Sequence, residues 1–114
     1  MEIISFEDFK KLEIRIGKIT GAERVEGSDK LLKLEVDFGQ NESGQATRRQ
    51  IIAGIGKIYA PEQLLGKECP FAYNLEPKEL KGLQSQGMIL CPSEENGPVL
   101  LHPDKEVPPG SVIK

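Results

Sequence analysis

The chain has 114 residues, 38% hydrophobic and 29% charged, which fits a single domain with one core. No apolar run approaches the ~18 residues of a membrane span, and no basic-then-apolar leader opens the chain, so the expected setting is the cytoplasm, away from membranes. A net charge of −3 argues against indiscriminate nucleic-acid binding, although the stretch from Lys30 to Lys81 carries eight cations against seven anions and is the least repulsive to phosphate.

Ser5-Phe6-Glu7-Asp8-Phe9 reads as a helix start, with Ser5 capping the Asp8 amide, Asp8 answering back, and Ile4 stapling onto Phe9. Leu12 to Ile16 then alternates with period two, and Gly17 and Gly21 within this long first strand predict a bulge or bend. Leu32, Leu34, Val36 and Phe38 alternate as a second strand, Gly39 to Thr47 is a polar hairpin loop, and Arg49 to Ala53 is a third strand. Pro61 to Leu65, closed by Gly66, predicts a short helix; Phe71 to Tyr73 is a fourth strand and Met88 to Cys91 a fifth. Five short strands with a helix between the third and fourth describe an all-β, OB-fold Greek-key barrel. Residues 1–91 make this barrel and 92–114 a turn-rich C-terminal extension of one domain. Val99, Leu100, Leu101, Val112 and Ile113 in that extension exceed what a finished barrel buries, so they either wrap back or cover a second subunit.

Between the fourth and fifth strands, Asn74 to Met88 reads Asn-Leu-Glu-Pro-Lys-Glu-Leu-Lys-Gly-Leu-Gln-Ser-Gln-Gly-Met. It is long for a corner and gathers cations, amides and a hydroxyl, as a surface does for a polar ligand. The segment resembles the tRNA-binding domain shared by the C-terminal appendix of methionyl-tRNA synthetases, free-standing structure-specific tRNA-binding proteins and the synthetase-associated cytokine precursors of eukaryotes. Asn74, Leu75, Pro77, Lys78, Leu80, Lys81, Gly82, Ser85, Gly87 and Met88 fall on that pattern. So, in order, do Phe9, Ile14 to Ile19, Ser28 to Leu31, Arg49 to Ile51, Gly54-Ile55 and the ending Pro103 to Gly110. The resemblance implies an OB barrel that binds tRNA without reading an anticodon and dimerises through its extension. The run Arg15 to Thr20 is also similar to a heptapeptide tied to cytokine activity in eukaryotic members; on a core strand it is read here as structural.

No catalytic, cofactor or metal set can be assembled. Gly54-Ile55-Gly56 lacks the third glycine of a dinucleotide fingerprint, Gly66-Lys67 lacks the rest of a phosphate loop, and His102 stands alone in a turn-rich tail, read as a surface residue. Cys69 and Cys91, with no CxxC or histidine cluster, read as buried reduced thiols.

The candidate tRNA-binding residues are Lys30, Arg49, Asn74, Lys78, Lys81, Ser85 and Met88. Lys30 lies in the first-to-second-strand loop bordering an OB binding face, where it is either a solvated turn lysine or a phosphate ligand. Arg49 is expected to share that face and Arg48 to point away. Asn74 either caps a turn before Pro77 or reads a base or ribose. Lys78 and Lys81 are spaced as helical neighbours able to straddle one phosphate. Met88 is either core or a thioether lying under a base. With few aromatics, recognition is expected to go through phosphates, 2′-hydroxyls and shape rather than serial stacking. The expected function is a non-catalytic module supplying tRNA to methionyl-tRNA synthetase, or part of that enzyme. The rivals are a secretion chaperone of the same fold that binds extended peptides, whose pattern departs from Ser-x-Gly-Met, and a purely structural oligomerisation domain. Beginning at Met1 and ending soon after Pro108-Pro109-Gly110 favours a free-standing protein or a separately encoded subunit over an excised domain.

Overall fold

The alternating runs fold as their periodicity requires. The computed structural model describes residues Met1–Lys114. Strands β1 (Ile14–Arg24), β2 (Leu32–Gln40) and β3 (Ala46–Ala53) form an antiparallel meander, and β4 (Glu68–Ala72) pairs with the other edge of β1. Along β2 the residues Leu32, Leu34, Val36 and Phe38 are buried while Lys33, Glu35 and Asp37 alternate onto the outer face. The long strand β1 serves both neighbours, pairing β2 from Lys18 and β4 up to Lys18. Its register shifts between Ile19 and Gly21, the bulge that the glycines predict, and the sheet curls into an OB-like half-barrel. Inside, Ile19, Leu34, Ile51 and Leu64 are fully buried. Phe38 meets Phe71 and Tyr73 edge-on, with ring centroids 5.5 and 4.9 Å apart.

Three expectations are corrected in detail. The N-terminal helix α1 is one turn, Phe6–Phe9; Ser5 Oγ accepts from the Asp8 amide at 3.1 Å, but the Asp8 carboxylate takes Lys11 (3.2 Å) instead of answering back. The helix expected over Pro61 to Leu65 is a 3-10 turn, Pro61–Gln63, that buries Leu64. The segment read as a loop before the fifth strand contains a hairpin, β5 (Lys78–Leu80) and β6 (Leu83–Ser85), while the fifth strand shrinks to β7 (Met88–Ile89) beside β4. Lys81 and Gly82 turn that hairpin with φ of 50° and 78°, the paired left-handed geometry of a two-residue type I′ turn. Lys78 and Lys81 are therefore a strand residue and a turn residue, not helical neighbours.

The extension wraps back on the barrel. A small hairpin, β8 (Ser93–Glu94) and β9 (Gly97–Pro98), leads to Leu100, which packs on the core and donates its amide to the Tyr59 hydroxyl at 3.1 Å. His102 Nδ1 donates to the Glu68 carbonyl (2.7 Å), and the Val107 amide to Glu68 Oε1 (2.9 Å), so the buried Glu68 anchors the strap. The last strand, β10 (Val112–Ile113), pairs with β1 at Ile14 and Arg15. Backbone docking leaves the side chains of Leu101, Val112 and Ile113 exposed. Both cysteines are free; burial raises the Cys69 thiol to about 12 and also raises that of Cys91. No helix is long and apolar enough to cross a membrane.

Candidate nucleic-acid interface

The crossover from β6 to β7 closes the gap between β3 and β4, and it does so mainly with side chains. Ser85 is buried; its Oγ accepts from the Ile52 amide (3.0 Å) and donates to the Gly87 carbonyl (2.9 Å). Gln86 Oε1 accepts from the Gln50 amide (3.0 Å), and the Gln86 amide donates to the Gln50 carbonyl at 2.8 Å. These bonds satisfy amides on the outer edge of β3 that would otherwise be unpaired. Gly87 follows with φ 143°, and a Cβ there would stand 2.8 Å from the Ala72 carbonyl oxygen, so only glycine fits. The Ser-x-Gly-Met pattern is thus explained as a seam of the barrel.

Two more of the seven candidate residues are spent inside the fold. Arg49 opposes Val36, on the inward side of the sheet; its guanidinium donates to the Tyr73 carbonyl and to the Gln86 carbonyl (3.3 Å) and stacks 3.5 Å from the Tyr73 ring centroid. Arg48, expected to point away, is the arginine on the outer face. Asn74 ties the N-terminal segment to the barrel: Oδ1 accepts from the Glu13 amide and Nδ2 donates to the Lys11 carbonyl, both at 2.7 Å. Arg49, Asn74 and Ser85 therefore hold the surface in place through bonds to the backbone.

Lys30, Lys78, Lys81 and Met88 stay exposed. None of the six ion pairs involves Lys30, Lys78 or Lys81. The two loops that carry them are brought together by a second apolar cluster. Val25 and Leu31 from the β1–β2 loop and Ile52 from β3 pack against Leu80 and Leu83 of the hairpin. Leu31 adjoins Lys30, and Leu80 adjoins Lys81, so the packing of these leucines joins the two lysine-bearing loops. Met88 is half-exposed and lines a groove of about 540 Å³ with Leu75, Pro77, Lys78 and Leu80. Ser28 Oγ holds the β1–β2 loop by accepting from the Leu31 amide (3.1 Å), and the Lys30 carbonyl accepts from Gly56 (2.7 Å).

A curled five-to-six-strand β-sheet joined by two packed, cation-bearing loops defines an OB-like all-β class of domain. Within that class, residues 14–112 match the family described as "Putative tRNA binding domain", and the chain belongs to this family. It is 46% identical over 112 residues to the methionine–tRNA ligase of Methanothrix thermoacetophila, a match spanning 98% of this chain and 16% of that enzyme. The chain thus spans about one-sixth of the length of the curated relatives it matches. A MetRS-related protein from Pyrococcus horikoshii has the same fold, with TM-score 0.88, 36% identity and full coverage of both chains. The chaperone CsaA of Bacillus anthracis superposes with TM-score 0.86 at 37% identity, covering 99% of this chain and all of that one.

Lys33, Arg48, Gln86 and Tyr73 also belong to this region and were not among the candidates. Strand parity carries the signal for the first two. Ile51 is buried, so Arg49, two residues earlier, shares its inward side and Arg48 faces out; Lys33, between buried Leu32 and Leu34, faces out as well. The bonds of Gln86 and Tyr73 span 36 and 24 residues of sequence and leave no local pattern.

Proposed function

We propose that this chain is a non-catalytic, cytoplasmic tRNA-binding module that grips the RNA by backbone and shape and serves methionyl-tRNA synthetase, as its partner or as a part of it. The observation that supports the reading is the packing of Val25, Leu31 and Ile52 against Leu80 and Leu83, which joins the two loops that carry Lys30, Lys78 and Lys81, in a family described as "Putative tRNA binding domain". With three or four phosphates neutralised per face, the log-affinity against log-salt slope is about −2 to −4. Folded tRNA outcompetes an unstructured strand of equal length, because its phosphates are already placed.

The same module works as a two-fold homodimer. Phe6, Phe9, Leu12, Leu101, Val112 and Ile113 are exposed around α1 and β10 and line two adjoining grooves with apolar walls. Two weak RNA faces joined in this way raise the effective concentration of each without new contacts. Competition binding with tRNA, poly-uridine and an unfolded peptide tests the reading. Preference for tRNA supports it, equal binding of the two RNAs makes this a general single-strand binder, and peptide binding alone makes it a chaperone.

A further inference from the structure

The two cysteines stand opposite each other where β4 begins and just past the end of β7. In the β4–β7 ladder Phe71 pairs with Ile89 and Ala72 with Met88, and the Leu90 amide donates to the Pro70 carbonyl at 3.0 Å. Carried one step further, the same register sets Cys69 against Cys91. Pro70 with Leu90 is a hydrogen-bonded pair, so Cys69 with Cys91 is a non-hydrogen-bonded one, in which α-carbons approach to about 4.5 Å. That separation lies within the range of about 4.4–6.8 Å that a disulfide spans. Strand parity turns both side chains inward. Cys69 shares the core with Phe71, and Cys91 lies two residues beyond Ile89, which packs on that core.

The two thiols also feel each other. Burial raises the Cys69 thiol most, and the negative charge of an ionised Cys91 nearby raises it further. Both are free, Cys69 fully buried and Cys91 half-buried, so a reagent in solution meets Cys91 first. His102 Nδ1, which donates to the Glu68 carbonyl, also lies 3.8 Å from Cys69 Sγ, where its N–H favours the thiolate.

We propose that Cys69 and Cys91 are a redox pair that forms a cross-strand disulfide and so fastens together the two ends of the segment carrying the β5–β6 hairpin. The oxidant is a small disulfide, R–S–S–R. The Cys91 thiolate attacks one of its sulfurs, releasing R–S⁻ and leaving a mixed disulfide. Rotation of Cys91 about χ1 turns that bond toward the neighbouring strand. There the Cys69 thiolate attacks Cys91 Sγ and expels the second R–S⁻. The two leaving thiolates take up the protons that the cysteines gave up, so two thiols are oxidised and one R–S–S–R is reduced to two R–SH. The second attack is intramolecular, which offsets the small ionised fraction of the buried thiol. Thiols that ionise so far above neutral pH are also poor leaving groups, so the bond is slow to break once made. Closing this loop of about two dozen residues constrains the unfolded chain and keeps the Ser85–Gln86 seam shut.

The test treats the full chain with oxidised glutathione at mildly alkaline pH and reads mass and melting. The product is expected to be lighter by two hydrogens and to carry no glutathione. Cut at Lys78 and Lys81, it should leave the Cys69 and Cys91 peptides joined until a reductant parts them. Its melting temperature should rise by about 10 °C. Cys91→Ser is expected to gain neither link, adduct nor melting shift, because the remaining thiol is buried. Cys69→Ala is expected to stop at a lasting glutathione adduct on Cys91; should that core variant not fold, the same adduct appears as a transient in the unmodified chain. A lasting adduct on the unmodified chain, links only between two chains, or thiols that stay free while the unfolded chain oxidises would overturn the redox pair. A link without the melting rise would overturn its fastening role.

Discussion

The hairpin side and the tail side of this barrel are both open to solvent, yet they lack opposite things. On the hairpin side the apolar residues Leu80 and Leu83 are folded under onto Val25, Leu31 and Ile52, and what remains outside is charge that forms no ion pair, Lys78 and Lys81 among it. On the tail side the charges are paired, as Lys10 with Glu7, Lys11 with Asp8 and Arg15 with Glu13, while Phe6, at 70% exposure, and Ile113, at 42%, remain open to solvent. A surface missing counter-charge calls for an anion, and a surface missing apolar cover calls for another apolar surface. One small domain thus presents two unlike demands, which the proposed function assigns to RNA on one side and a second copy on the other.

The hardest way to break that contrast is to charge the tail side. Val112→Asp with Ile113→Asp should dissociate the dimer by a hundred-fold or more, on the scale of about 2–4 kcal/mol for a buried apolar centre. Tethering of tRNA to a single face should survive. Sedimentation reads the first and titration of immobilised monomer the second; a clean monomer for the unmodified chain at tens of micromolar would end the dimer proposal. On the hairpin side, Ser85→Ala leaves the buried Ile52 amide without its acceptor and should cost about 1–3 kcal/mol of stability. Chemical denaturation measures this, and tRNA affinity should drop with it because the hairpin loosens.

Lys78→Ala and Lys81→Ala sharpen the same side more gently. Each should weaken tRNA binding by about 0.5–1.5 kcal/mol with no change in melting temperature, since neither side chain is spent inside the fold. A melting shift in either variant would mean that the lysines are structural after all. The smallest effect at ordinary pH belongs to Cys69, which lies on neither side. Its thiol ionises near 9.0 in the unfolded chain and near 12 in the folded one. Between those values the unfolded chain holds fewer protons, so stability falls as pH rises through that window and is unaffected below it. Denaturation midpoints that stay flat up to pH 11 would contradict the burial of this thiol.

Much of this was legible in the sequence wherever one face of a strand is buried. Leu32 to Phe38 and Ile51 give strands, faces and core directly, because alternation has no second reading at that density. The hairpin was not legible, since Lys-Gly at a type I′ turn is a weak signal beside Asn-Gly and the flanking strands are three residues each. For the candidate site, residue type alone separated poorly between holding and touching. Arg49 and Asn74 are as polar as Lys78, but their partners lie 24 to 63 residues away in sequence, and only the folded chain reveals that they are engaged.

The seam made by Ser85 and Gln86 has a consequence for how such domains are mapped. Because the side chains that shut the barrel sit in the same short segment as the lysines proposed to meet the ligand, closure and grip are expected to rise and fall together. A mutational scan scored only by retention on tRNA would rank Ser85 and Gln86 among the strongest contacts, although neither needs to touch the RNA. Amide exchange at Gln50 and Ile52, whose hydrogens those two side chains hold, would tell a broken latch from a lost handhold.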